Sequence, residues 1–232
     1  MPQPRSPAIL RLLAEAGKAL NLRQPDLAEQ VLVQVLAMEP GSVDAQFLYG
    51  LACLMRGEST KAAGLLRQAA KQRPRDATVQ MYLGCALHDA GLSEEALIHL
   101  RSACAIAPEH ASSWYNLGKA LKQQSRLADA AEALRRTLSL DDRHILARIG
   151  LADICTMQGD VDQAVAEYRR VLRQQPDQAE AWHALANLKT VSLSPEDATQ
   201  IRQAMRNPHI SLEAQAALGF SLFKALEDQQ DY

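Results

Sequence analysis

A chain of 232 residues, 47% of them hydrophobic, can bury a sizeable core, which excludes a disordered tail. Its 25 basic and 27 acidic residues leave a formal charge of -2, so charge gives no case for nucleic acid or an anionic membrane as partner. No apolar run approaches the roughly 20 residues that span a bilayer. The N-terminal residues alternate polar and apolar at helical period instead of forming a signal peptide. We therefore expect a soluble, cytoplasmic protein.

Sequence features recur every 34 residues along the chain. Prolines mark the period, with Asp142 in one skipped place. Three further columns have the same period: the first contains only alanine, the second only glycine or alanine, and the third leucine with one tyrosine. The four columns are Pro40, Pro74, Pro108 and Pro176; Ala28, Ala62, Ala96, Ala130, Ala164 and Ala198; Gly50, Gly84, Gly118, Ala152 and Ala186; and Leu32, Leu66, Leu100, Leu134 and Tyr168. A fixed period of this length is the signature of a repeat protein.

Each 34-residue unit predicts two antiparallel helices. The small residue of the first helix lies where the second helix crosses it, and we expect the alanine column opposite, because small side chains let two axes approach closely. Gly57, Gly91 and Gly159 mark the turn inside the pair, where glycine takes the left-handed conformation that ends a helix. Ser93, followed by two glutamates, predicts the start of a second helix.

The last part of the chain departs from this pattern after Lys189. Ser194 is expected to cap a helix with Pro195 at its first position, running to about Arg206. A final helix is expected from about Ser211, with one apolar stripe formed by Leu218, Leu222, Phe223 and Leu226.

The segment "SSWYNLGKALKQQSRLADAAEALRRTLSL", residues 112 to 140, resembles the tetratricopeptide repeat family in its pattern of Trp, Leu-Gly, Ala and Leu. This resemblance implies an all-α fold, a right-handed α-solenoid of about six helix-turn-helix pairs plus one unpaired C-terminal helix. Gln46, Gln80 and Arg148 depart from the family pattern, because they stand in the column that holds Trp114 and Trp182. The expected single solenoid, 1–232, divides into repeats at about 9–42, 43–76, 77–110, 111–144 and 145–178, an atypical repeat at 179–210 and a half-repeat at 211–232.

A narrower resemblance concerns the C-terminal residues. "AEAWHALANLK" at 179 to 189, the later "SPED" and the final "ALGFSLFKALEDQQDY" are similar to the end of the N-terminal repeat array in bacterial sulfotransferases that contain tetratricopeptide repeats. The resemblance implies a catalytic domain after Tyr232 with 3'-phosphoadenylyl sulfate as its cofactor. Because the final helix lacks a partner helix, we expect the natural protein to continue past Tyr232.

Motifs for catalysis or metal binding do not occur in this sequence. It has no glycine-rich phosphate loop, no histidine spaced for a shared metal and no nucleophile in a recognisable context. Glu94, Glu95 and His99 could suggest acid-base chemistry, but a solvated outer face is the simpler interpretation. The four cysteines form no CxxC pair and are interpreted as small hydrophobic residues; they are Cys53, Cys85, Cys104 and Cys155. We expect a chain that is not an enzyme and holds no metal or cofactor.

The first helices of successive repeats are expected to line a concave surface. Their inner face is apolar with a few polar residues, which predicts a groove for an apolar peptide, unless some of these side chains only fill the core. Asn116 would bond the peptide backbone, and Lys119 and Lys122 would bind a carboxylate. The predicted groove residues are Phe47, Leu51, Met55, Met81, Cys85, His88, Tyr115, Asn116, Lys119, Lys122, Ile149 and Asp153.

Two functions follow from these observations. The first is a scaffold that binds a protein or peptide. The alternative is a substrate-recruiting or dimerising region of a bacterial sulfotransferase. Self-association through the ends of the solenoid is a third, weaker possibility.

Overall fold

The computed structural model describes residues 6–230, so the predicted break after Asp231 and Tyr232 lies outside the described residues. In this part of the chain the regular elements are all α-helices, and none of them has the length and apolarity to cross a membrane. The helices are α1 (Pro7–Asn21), α2 (Pro25–Met38), α3 (Val43–Met55), α4 (Ser59–Gln72), α5 (Ala77–Asp89), α6 (Ser93–Ile106), α7 (Ala111–Gln123), α8 (Leu127–Leu140), α9 (Ile145–Met157), α10 (Val161–Gln174), α11 (Ala179–Asn187), α12 (Pro195–Ala204) and α13 (Leu212–Gln230).

The helices form two compact units, residues 1–126 and 127–232. In the first unit each helix from α1 to α7 packs against the next, and α1, α3, α5 and α7 also pack side by side. In the second unit α8 to α11 pack in succession, and α13 packs against both α11 and α12. Short turns make successive helices antiparallel. The predicted all-α fold of helix-turn-helix repeats is confirmed for the described residues, and the last helix, which was expected to be unpaired, packs against α11 and α12.

The same type of hydrogen bond closes the turn inside each of the first five helix pairs. Gly57, Gly91 and Gly159 have φ of +76°, +81° and +81°, which confirms the predicted left-handed turn. The same 34-residue column also holds Arg23 at +56° and Ser125 at +58°, which the sequence analysis did not predict. In all five turns the next N–H donates to the carbonyl five residues earlier, at 2.8 to 3.0 Å. This bond fixes the turn, so glycine is favourable there but not required.

The ends of the later helices follow the sequence signals closely. Ser93 is the first residue of α6. The Ser194 hydroxyl accepts from the Asp197 N–H at 3.2 Å, and the Asp197 carboxylate accepts from the Ser194 N–H at 2.9 Å, forming a capping box. However, α12 ends at Ala204, two residues before the expected Arg206.

The apolar stripe predicted on α13 is divided between two faces. Leu218 is fully buried and Leu222 is half-buried, whereas Phe223 is 65% exposed and Leu226 is 36% exposed. The face that packs inward carries Leu218, Ser221 and Ala225, at the i, i+3, i+7 spacing of one helix side. The expected single stripe is therefore wrong, because Phe223 lies outside that face.

Close helix crossings depend on two glycines. A Cβ atom at Gly84 would lie 2.6 Å from Leu100 Cγ, and one at Gly50 would lie 2.6 Å from Leu66 Cγ. The small column therefore meets the leucine column of the second helix. The alanine column also lies at this crossing, since the carbonyl oxygen of Ala96 would be 3.1 Å from a Cβ at Gly84.

In α3, α5, α7, α9 and α11, a hydrogen bond joins the start of the helix to the turn before it. The donor is a side chain in the column 46, 80, 114, 148 and 182, and the acceptor is the backbone carbonyl six residues earlier. The bonds are Gln46 to Pro40 (3.3 Å), Gln80 to Pro74 (3.0 Å), Trp114 to Pro108 (2.9 Å), Arg148 to Asp142 (2.6 Å) and Trp182 to Pro176 (2.8 Å). Gln46, Gln80 and Arg148, which replace Trp in this column, thus still provide an N–H donor.

For three of these donors, the residue 19 positions later matches the chemistry of the donor. Gln80 Oε1 accepts from His99 Nδ1 at 2.7 Å, and Arg148 donates to buried Glu167 at 2.9 Å. Trp182, which needs no second polar partner, has the buried Ile201 at this spacing.

Gly84→Ala should lower the free energy of unfolding by about 1 to 3 kcal/mol, because the added methyl overpacks the contact with Leu100. The control is Gly64→Ala in α4, where no atom lies within 4 Å of a new Cβ, and it should raise stability by about 1 kcal/mol. Urea denaturation measures both. Equal effects of the two substitutions would contradict this account of the crossing.

Glu167→Ile should destabilise the fold by about 3 to 5 kcal/mol, because it leaves the buried Arg148 guanidinium without its acid. Adding Arg148→Trp should restore most of that loss, since the double variant copies the Trp182 and Ile201 pair. A double-mutant cycle in thermal or urea unfolding checks this. Simple additivity of the two changes would mean that the positions are not matched as described.

Candidate functional site

A groove of about 440 Å³ runs along α5 and α7 in the first unit. Met81 is 5% exposed, whereas Tyr115 and Tyr82 are half-buried, so three large side chains give the groove an apolar surface. The Tyr82 ring stands edge-on to the Phe47 ring with centroids 5.8 Å apart, which fixes one side. The lining residues are Leu54, Thr78, Met81, Tyr82, Cys85, Asp89, His110, Ser112, Tyr115 and Asn116.

The charges of the groove are set by burial. Burial, together with the nearby negative charge of Asp89, raises the pKa of the Cys85 thiol to about 12. Burial also raises the pKa of Tyr115 above its usual value. Both side chains are therefore uncharged at neutral pH, and Asp89 is the acidic residue among those that line the groove. The groove is apolar with one negative charge.

Two polar side chains of the groove are engaged within α7. Asn116 Nδ2 donates to the Ser112 carbonyl one turn earlier, at 2.9 Å. His110 Nδ1 lies 2.8 Å from Ser113 Oγ at the start of the helix. The primary amide of Asn116 can make further bonds, because it carries a second N–H and a carbonyl oxygen.

The predicted groove residues of the first unit fall into two sets. Met81, Cys85, Tyr115 and Asn116 lie together in the groove. The other residues lie outside its lining: Phe47 and Leu51 are half-buried, Met55 is 44% exposed, His88 is half-buried with Nδ1 unbonded, Lys119 is exposed, and Lys122 is half-buried and engaged in a contact of its own.

Ile149 and Asp153 belong to α9 in the second unit. Ile149 packs against the hydrophobic core of that unit. The Tyr168 hydroxyl donates to Asp153 Oδ1 at 2.7 Å, so Asp153 supports helix packing within the unit. The prediction that these two residues bind a peptide stays a prediction.

Six lining residues are absent from the predicted groove residues: Leu54, Thr78, Tyr82, Asp89, His110 and Ser112. For Tyr82 and Asp89 the repeat itself carried a signal. Tyr82 stands 34 residues before Asn116, and Asp89 stands 34 residues after Met55, so each shares a column with a residue that was selected. His110 precedes α7 and carries no comparable signal.

The back of α5 is held by polar contacts that keep the groove in place. Gln80 bonds both the Pro74 carbonyl and His99, and burial lowers the pKa of His99 below its usual value. Glu95 forms two bonds of 3.0 and 2.8 Å with Arg67 of α4. His99 and Glu95 thus have structural partners, which favours packing over the acid-base interpretation. Among residues 6–230, no cluster of three or more His, Cys, Asp or Glu side chains could hold a metal.

Family models described as tetratricopeptide repeat match residues 13–70, 56–111 and 121–188. This chain belongs to the tetratricopeptide repeat family. The matches cover most of the chain from residue 13 to residue 188, and residues 112–120, which hold Ser112, Tyr115 and Asn116 of the groove, lie between two of them. None of the curated proteins compared with the chain matches it significantly.

Solved structures of other repeat proteins share the fold at low sequence identity. PilF of Pseudomonas aeruginosa has 19% identity and a TM-score of 0.71, with 97% of this chain and 98% of that chain covered. MamA of Desulfovibrio magneticus RS-1 has 20% identity and a TM-score of 0.67, with 75% and 99% covered. YrrB, described as a repeat protein with an unusual peptide-binding site, has 16% identity and a TM-score of 0.62, with 75% and 89% covered. At these identities the likeness shows the fold alone.

Proposed function

We propose that this chain is a non-catalytic scaffold that binds a segment of a partner protein in the groove between α5 and α7. The observation that carries the proposal is the groove itself, about 440 Å³ in volume and walled by Met81, Tyr82 and Tyr115. Pockets of this size with aromatic walls and a few polar groups are typical of binding sites. YrrB, whose fold this chain shares, is described as binding a peptide, which supports the same use here.

The proposed ligand is an extended apolar peptide with one basic residue. Tyr115 and Tyr82 provide large, rigid surfaces against which an apolar side chain can pack. Asp89 would attract a lysine or arginine, because it is the acid in the lining and the neighbouring Cys85 and Tyr115 are uncharged at neutral pH. Lys119 and Lys122 remain proposed contacts for a carboxylate beyond the groove.

We further propose a cytoplasmic location and a bacterial source. The balanced charge of 25 basic and 27 acidic residues supports a protein partner rather than nucleic acid or a membrane surface.

Peptides selected from a random phage library on the full chain should lose at least about tenfold in affinity when Tyr115 is changed to alanine, because a buried tyrosine contact contributes about 1.4 kcal/mol or more. Ile98→Ala is the matched control, since Ile98 lies on α6, is 65% exposed and does not line the groove. Calorimetric titration measures each affinity. Unchanged binding by the Tyr115→Ala protein would place the peptide site elsewhere.

Met81 is unsuitable for a charged substitution, because at 5% exposure the change would unfold the unit.

The alternative is the substrate-recruiting or dimerising region of a bacterial sulfotransferase. It is motivated by the sequence resemblance of residues 179–232, and the exposed Phe220 and Phe223 of α13 offer an apolar face that a further segment or a second copy would cover. The coding sequence downstream of Tyr232 tests it, because a sulfotransferase domain needs a phosphate-binding loop there and a stop codon would end the alternative.

A further inference from the structure

A second groove, about 640 Å³ in volume, lies in the second unit between α10 and α12. Its floor is formed by Leu172 and Ala204, which are 4% and 6% exposed. It is separate from the proposed peptide groove, because all of its lining residues lie between 169 and 207. The family match that covers the α10 wall ends at residue 188, so it does not include the α12 wall, and the expected groove residues include none of this lining.

The groove exists because α12 is short. The other second helices from α4 to α10 have 14 residues, whereas α12 has 10 and ends at Ala204. One helical turn is therefore missing where α12 would cover the end of α10. Pro208 contributes to this early ending, since the residue before a proline avoids the helical conformation and Asn207 therefore cannot continue α12.

Ion pairing holds the two walls at a fixed separation. Arg169 of α10 forms a two-bond ion pair with Asp197 of α12, and the Asp197 carboxylate also closes the capping box with Ser194. The Arg169 guanidinium lies 5.8 Å from the Trp182 ring centroid. Arg67 and Glu95 make the equivalent pair in the first unit, each 102 residues earlier. The groove thus has a fixed frame.

The side chains that face the groove carry unused hydrogen-bonding groups. Arg173, one turn after Arg169, makes no ion pair or hydrogen bond with any described residue. The side-chain amides of Gln200 and Gln203, which stand on the opposite wall, also make no hydrogen bond with a described residue. Asp177 is different, because its carboxylate accepts from Asn207 Nδ2 at 3.1 Å. The free groups are one guanidinium and two primary amides.

We propose that this groove binds an extended segment of a partner protein through an aspartate or glutamate side chain held by Arg173. A guanidinium binds a carboxylate with two parallel hydrogen bonds. Primary amides donate and accept at once, so Gln200 and Gln203 match the N–H and C=O groups of an extended backbone. Leu172 and Ala204 receive a small apolar side chain next to the acid. This second site makes the chain a scaffold with two different partner segments, one basic and one acidic.

The test uses two phage-displayed decapeptide libraries that differ only in a fixed central glutamate or glutamine. Selection on the full chain should enrich the glutamate library. Synthetic copies of the selected peptides, acetylated and amidated so that no terminal carboxylate contributes, should bind at least about tenfold more weakly to Arg173→Glu. Gln203→Leu, a change at an exposed position, should weaken the same peptides.

Arg202→Glu is the matched control, because Arg202 is an exposed arginine of α12 outside the groove. It makes the same change in net charge and should leave the affinity within about twofold, as should Tyr115→Ala. Equal enrichment of both libraries, or equal loss of affinity in Arg173→Glu and Arg202→Glu, would overturn the proposal. Either result leaves the proposed groove of the first unit untouched.

Discussion

The hydrogen bond from a first helix to the turn before it is the constraint that recurs in α3, α5, α7, α9 and α11. Five side chains make it, from glutamine, tryptophan and arginine alike, so the repeat preserves an N–H donor at a fixed place and not a residue type. The glutamine and arginine donors bring other polar atoms that also need partners. Gln80 bonds His99 and Arg148 bonds Glu167, whereas Gln46 Oε1 is buried without a partner. That orphaned oxygen opposes the gain from the bond to Pro40.

Helix α5 serves the core and the proposed binding surface at once. Gln80 and Gly84 face the packing side, where one bonds the preceding turn and the other admits Leu100. Met81 and Cys85, each one residue further along, line the groove. Because neighbouring residues on one rigid helix serve the two purposes, the width of the groove follows from how closely α5 and α6 approach. A change in packing at Gly84 therefore alters the groove without touching it.

Periodicity in the sequence was sufficient to predict the helix pairs and their glycine turns, and the local sequence after Lys189 predicted the helix cap at Ser194. Periodicity did not predict contacts that depend on the length of a side chain. Beside the alanine column, Leu66 and Leu100 extend into the space left by Gly50 and Gly84. Likewise Arg23 and Ser125 adopt the glycine conformation because the hydrogen bond of the turn outweighs their local preference. Of the groove, the apolar residues of α5 and α7 were predictable, whereas His110 depends on where a loop lies.

Departures from the repeat, rather than the repeat itself, create the chemistry of the second unit. The repeat would place its proline at position 210, where Ile210 stands, and Pro208 arrives two residues early. The helix before it is four residues shorter than the other second helices, and the side chains of Arg173 and the two glutamines make no hydrogen bond with a described residue. Nothing in the packing requires a guanidinium at Arg173, since the ion pair that joins α10 to α12 is already made by Arg169. The guanidinium of Arg173 and the amides of Gln200 and Gln203 thus have no role in the packing of the fold. A ligand with a carboxylate would provide the partner for Arg173.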